Sequence, residues 1–162
     1  MMIARPRGGV ALVLTFVIAF MLMILPLPAL AEPLRPAWVT MVLVYWAMAV
    51  PQRVGVSWAW FTGLLKDGVA GTLLGQYALG LALVAFIVIK LHQRLRVLPL
   101  WQQGVGVFVL VLLEQSLFLW TRGIQGLPTP WLLVLGPAAA SGVVWPWVFI
   151  ILRDVRRRYR IE

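Results

Sequence analysis

The stretch GLLKDGVAGTLLG, residues 63–75, places Lys66 and Asp67 inside an otherwise apolar segment of a very hydrophobic chain. An ionisable group near the middle of a bilayer costs about 2.5–3.5 kcal/mol or more, so it faces protein or water rather than lipid. If the stretch is helical, Gly63, Ala70, Gly71 and Gly75 share the face of Asp67, because residues three and four apart are neighbours on a helix. That stripe is small throughout, and small residues let a neighbouring backbone approach closely. Asp67 is therefore predicted to point into a helix bundle at a tight contact, with Gly63, Gly71 and Gly75 as the close-packing stripe. Lys66 lies about 100° further round the helix and need not share its partner.

The rest of the chain agrees with a membrane setting. Of 162 residues 62% are hydrophobic and only 12% charged, and the mean hydropathy is +0.95, a composition foreign to soluble domains of this size. An all-α integral membrane protein follows. The absence of cysteine excludes disulfides and thiolate metal sites, and a single histidine, His92, argues against a histidine-based one. No metal or cofactor is expected. The net charge of +9 does not imply nucleic acid, because the basic residues sit at the ends of apolar runs, where retention on the cytoplasmic side explains them.

Six hydrophobic segments can be traced, at about 10–30, 36–51, 54–73, 74–91, 100–121 and 130–152, forming a single transmembrane domain with a basic tail, 153–162. The first has a basic start and Ala29-Leu30-Ala31, which also fits a signal peptide with a small-residue cleavage site; extended through Leu30 it reaches the roughly 20 residues a span needs, and it is read as an uncleaved first helix. Pro36 suits a first helical turn and Pro51 a stop. Gly71 and Gly75 lie at the connection between the third and fourth segments, where the Gly-x-x-x-Gly spacing means backbone permissiveness more readily than a helix interface. The Lys90–Pro99 stretch reads as an interfacial loop with His92 solvated, and Thr129-Pro130-Trp131 as the cap and first turn of the sixth helix. Kinks are expected at Pro137 and Pro146.

Charge sets the orientation. With the N-terminus in the cytoplasm, Arg5, Arg7, Arg53, Lys90, Arg94, Arg96, Arg153, Arg156, Arg157, Arg158 and Arg160 fall inside, and only Arg35 and Arg122 outside. Both termini are therefore cytoplasmic. Trp38, Trp120 and Trp131 fall near the outer boundary, and Trp58, Trp101, Trp145 and Trp147 near the inner one. The basic residues Arg94, Arg96, Arg153, Arg156, Arg157 and Arg158 could serve as an orientation signal, as contacts for anionic phospholipid or for a cytoplasmic partner, or both.

Asp67 lies 13 residues after Val54, and Glu114 13 residues after Trp101, which puts both about 20 Å above the inner boundary. Together with Gln76 and Ser141 they define a polar layer in the outer half. Lys66 is expected to pair with Glu114 or Asp67, since bending outward would oppose the N-terminal lean of helical side chains. The layer is open to three readings: hydrogen bonds that hold the bundle, each worth about 0.6–2 kcal/mol; a groove for a partner; or a substrate or proton pathway. At this stage Asp67→Asn keeps shape and hydrogen bonding while removing charge, so it separates charge-dependent readings from the rest.

The motifs RPAWVTMVLVYW from Arg35, PQRVGV from Pro51, G-x3-D-x3-G-x3-G on Gly63, Asp67, Gly71 and Gly75, LPLWQQ from Leu98 and VVWPWVFIILRDVRRR from Val143 together resemble the MreD family of bacterial rod shape-determining membrane proteins, with Lys66 a departure from its pattern. The resemblance implies a non-enzymatic inner-membrane subunit of the cell-elongation machinery. It implies binding to the scaffold MreC, work alongside MreB, RodA and its transpeptidase partner in lateral peptidoglycan synthesis, and a fold similar to the substrate-binding subunits of energy-coupling-factor transporters.

Two other classes are weighed beside it. A small-molecule-binding subunit or transporter has only the layer of Lys66, Asp67 and Glu114 in its favour, and the two halves lack matching interrupted helices. An intramembrane enzyme has less support still, because His92 is far from Ser141 in depth and the two acids lie on separate helices.

Overall fold

The computed structural model describes residues 7–128 and 130–159. These form six α-helices, α1 (Arg7–Ile24), α2 (Trp38–Ala49), α3 (Val56–Ala70), α4 (Gln76–Arg96), α5 (Leu100–Ile124) and α6 (Leu132–Tyr159), with a single 3-10 turn at Glu32–Leu34. Three of them, α4, α5 and α6 from Val134 onward, are long and apolar enough to cross a membrane. Thr129, read above as a cap, and the basic residues Arg5 and Arg160 lie outside the described residues.

The bundle is organised around α2. Every residue from Val39 to Val50 is buried, as a helix that is hydrophobic on all sides must be. At 12 residues it is only about 18 Å long. It packs against α1, α4 and α6, while α3 leans on α4 and α5 lies between α4 and α6. Leu12, Phe16 and Ala19 of α1 are buried in the same core, and the indole Nε1 of Trp46 on α2 donates to Thr15 Oγ1 of α1 at 2.8 Å.

Helices α1 and α2 each end against an arginine from elsewhere in the chain. The last carbonyls of a helix have no partner within it. Arg35 donates to the Met23 carbonyl and contacts that of Leu22 at the end of α1, while its other nitrogen pairs with Glu32 at 3.0 Å. Arg96 donates to Met48 O and Ala49 O, at 2.8 and 2.7 Å, at the end of α2. The guanidinium fork supplies several donors to carbonyls that also carry the negative end of the helix dipole.

The structure shifts several helix ends read from hydropathy. The first helix stops at Ile24 rather than near Leu30, because Pro26 and Pro28 cannot continue it. The fourth continues through Arg96, so Lys90, His92 and Arg94 are helical rather than in a loop, and His92 Nδ1 lies against Ile89 O at 2.5 Å. The sixth continues to Tyr159, so residues 153–159 are helix rather than tail. In both cases the apolar run ends before the helix does: arginine, leucine and glutamine are good helix formers, and basic residues suit a helix C-terminus. Trp145, placed near the inner boundary by sequence, is 1% exposed and donates to Gln103 Oε1 at 3.2 Å inside the bundle.

Helices α5 and α6 meet through two glycines. A Cβ on Gly104 would lie 2.9 Å from the Gly142 carbonyl oxygen, and one on Gly142 would lie 3.1 Å from that of Gly104. Pro146 has no N–H for the Gly142 carbonyl four residues earlier, so this close approach covers a carbonyl the helix leaves unpaired.

Candidate functional site

The buried polar groups divide into two centres on neighbouring faces of α3. Lys66 and Asp67 are adjacent in sequence and, at about 100° per residue, they point to different partners.

The first centre joins three helices. Lys66 Nζ on α3 lies 2.8 Å from Glu114 Oε1 on α5, and Thr40 Oγ1 on α2 donates to Glu114 Oε2 at 2.5 Å. Glu114 is 1% and Lys66 6% exposed, so both carboxylate oxygens and the ammonium have partners in a place where an unmatched charge would be costly. Gly80 on α4 closes the pocket, since a Cβ there would come within 3.1 Å of Glu114 Cγ. The ammonium also lies 4.1 Å from the centroid of Tyr77, a cation–π contact.

The second centre is a helix cap. Asp67, fully buried, accepts Thr72 Oγ1 and Tyr77 N–H on Oδ1, both at 2.8 Å, and Gly75 N–H at 2.9 Å and Ala78 N–H at 3.4 Å on Oδ2. Three of the donors are backbone N–H groups at the start of α4, where the helix dipole favours a negative charge. Asp67 therefore points at the α3–α4 turn rather than across the bundle, and Lys66 pairs with Glu114 rather than with it.

The glycine stripe divides in the same way. A Cβ on Gly63 would sit 2.3 Å from Ala78 Cα, so that position is where α3 and α4 touch. Gly71 and Gly75 have no neighbour within 4 Å of such a Cβ; they have φ of +71° and +100°, the left-handed conformations that end α3 and start α4 within a five-residue turn. As packing positions they drop out.

Gln76 and Ser141 make separate contacts. Gln76 Nε2 donates to Thr121 Oγ1 on α5, and Ser141 Oγ on α6 accepts the Ala37 N–H ahead of α2 at 2.9 Å. Sequence reasoning passed over Thr40, Thr72 and Thr121, because a threonine in an apolar segment carries no signal until its neighbour is known. Among the basic residues, Arg96 is engaged in capping α2, whereas Arg94, Arg156, Arg157 and Arg158 are exposed and Arg153 is half-buried. Among the described residues there is no cluster of three or more histidine, cysteine, aspartate or glutamate residues.

Beside the first centre lies an open cavity of about 750 Å³, bordered by the α1–α2 connection, α3, Tyr77 and the last turns of α5.

The family model for rod shape-determining protein MreD matches residues 7–155, the whole bundle apart from its extreme ends. The chain belongs to the MreD family. It is also similar to the rod shape-determining protein MreD of Haemophilus influenzae, with 39% identity over 148 residues that cover 91% of each chain. No solved structure matches it. The MreD match spans all six helices, including α1 and the capping residues Arg35 and Arg96, and it assigns the chain to proteins of cell shape whose apolar helices suit a membrane.

Proposed function

We propose that the protein is a non-enzymatic, multi-pass subunit of the cell-elongation complex in the bacterial inner membrane. It binds the MreC scaffold and, with MreB, RodA and its transpeptidase partner, helps direct lateral peptidoglycan synthesis. The observation that carries this reading is the family match over nearly the entire chain. The packing is consistent with it: the buried ions are paired with each other, with a threonine or with a helix end, as in a bundle held together from within. In this proposal all six helices span the membrane, with the α1–α2, α3–α4 and α5–α6 connections outside and both ends in the cytoplasm, and the fold is akin to that of energy-coupling-factor substrate-binding subunits. The exposed arginines of α4 and α6 face anionic phospholipid and cytoplasmic partners.

The test is purification of the tagged chain from its own membranes in a gentle detergent, followed by identification of what accompanies it. Recovery of a single-span periplasmic scaffold is the expected result. Recovery of the chain with an ATPase, or alone with a stoichiometric small molecule, favours the transporter-subunit reading instead.

A further inference from the structure

We propose that the cavity beside the Lys66–Glu114 pair is a binding site for one anionic lipid, with Arg122 holding its phosphodiester and Gln115 hydrogen-bonding deeper in the site. Its volume, about 750 Å³, is in the range of small-molecule sites, about 300–1,000 Å³. One wall is a stack of two rings with a cation at each end: Lys66 lies over Tyr77, Tyr77 stacks on Phe118 with centroids 4.6 Å apart and planes at 12°, and Arg122 Cζ lies 5.8 Å from the Phe118 centroid. The two cations at its ends differ. Lys66 is neutralised by Glu114, and Arg35, across the cavity, by Glu32. Arg122 has no carboxylate within 4 Å among the described residues and only the Pro128 carbonyl as acceptor, so the site carries one uncompensated positive charge.

Gln115 lies two helical turns below Arg122 on the same face of α5, about 10 Å away along the axis. It is 7% exposed, lines the cavity and makes no side-chain hydrogen bond among the described residues. Its amide is not among the sealed, unpaired polar atoms of the described residues, so it opens to the cavity, where a ligand atom can meet it. The remaining lining is largely apolar, including Met23, Leu27 and Trp38. One negative charge, hydrogen-bonding atoms beside it and an apolar body describe a phospholipid with a singly charged headgroup, and the surrounding bilayer supplies one.

The test is native mass spectrometry of the full chain, delipidated in neutral detergent and titrated with phosphatidylglycerol, phosphatidylethanolamine or inorganic phosphate. One phosphatidylglycerol per chain is expected, favoured about fivefold over phosphatidylethanolamine, as one extra cation near a lipid surface allows. Gln115→Leu and Arg122→Gln each lower occupancy while the unfolding temperature holds, and Gln93→Leu, exposed at the other end of the bundle, leaves it unchanged. Equal occupancy by both lipids, displacement by inorganic phosphate alone, or an equal loss with Gln93→Leu overturns the proposal. So does a photo-crosslinker at position 115 that captures polypeptide rather than lipid in native membranes.

Discussion

Lys66 Nζ and Glu114 Oε1 lie 2.8 Å apart and tie α3 to α5, and the second carboxylate oxygen, held by Thr40, brings in α2. Three helices thus depend on one carboxylate. Removing one member of a buried pair leaves the other charge unmatched, whereas removing both leaves none. Lys66→Met is therefore expected to lower stability by about 3 kcal/mol, and Lys66→Met with Glu114→Met to recover most of that loss. Reversible unfolding of the four species in mixed micelles measures the coupling. Additive losses contradict it.

Asp67→Asn is not a conservative change here. Both carboxylate oxygens accept two hydrogen bonds, and an asparagine amide would turn N–H groups towards N–H groups. A loss of about 1–2 kcal/mol is expected, with the start of α4 fraying first. Hydrogen exchange at Tyr77 and Ala78 checks this; unchanged protection there argues against the cap.

Gly63 and Gly71 separate close packing from backbone conformation. Gly63→Ala forces backbone atoms of α3 and α4 apart, at a cost of about 1–3 kcal/mol, and larger residues are expected to prevent stable accumulation. Gly71→Ala meets no neighbour but must hold φ near +71°, a strain of about 1–2 kcal/mol. Unfolding temperatures of a Gly63 series (Ala, Val, Leu) should fall with side-chain volume. Those of a matching Gly71 series should drop once, at alanine, and then stay level.

The chain contains no cysteine, so single cysteines report topology without background. Leu30 and Gln125 are exposed in the α1–α2 and α5–α6 connections, and Val97 in the α4–α5 connection. On the proposed six-span arrangement, an impermeant maleimide labels Leu30→Cys and Gln125→Cys in spheroplasts and reaches Val97→Cys only after permeabilisation. Labelling of all three before permeabilisation contradicts it.

The long apolar segments were legible in the sequence, because hydropathy and length alone identify α4, α5 and α6 as capable of crossing a membrane. Lys66 and Glu114 also stand out, as charges in apolar surroundings must find partners. The helix ends of α4 and α6 were less legible, since hydropathy marks where the apolar surface stops and not where backbone hydrogen bonding stops. Thr40 and the Gly104–Gly142 contact were illegible for a different reason: each is an ordinary residue made specific by what the fold places opposite it. Asp67 was half legible: its small-residue face does mark a helix contact, at Gly63 against Ala78, but its periodicity could not show that Gly71 and Gly75 form a turn or that the carboxylate caps the start of the next helix.

The most direct measurement of whether the buried charges are an internal tie is cell morphology in a strain depleted of its native copy. The Lys66→Met, Glu114→Met double variant is expressed there and its membrane level is measured by immunoblot. Rod-shaped cells at the wild-type protein level are the expected result. Rounded cells at that same level would show that the charges themselves act in shape determination, contradicting a purely structural role for the pair.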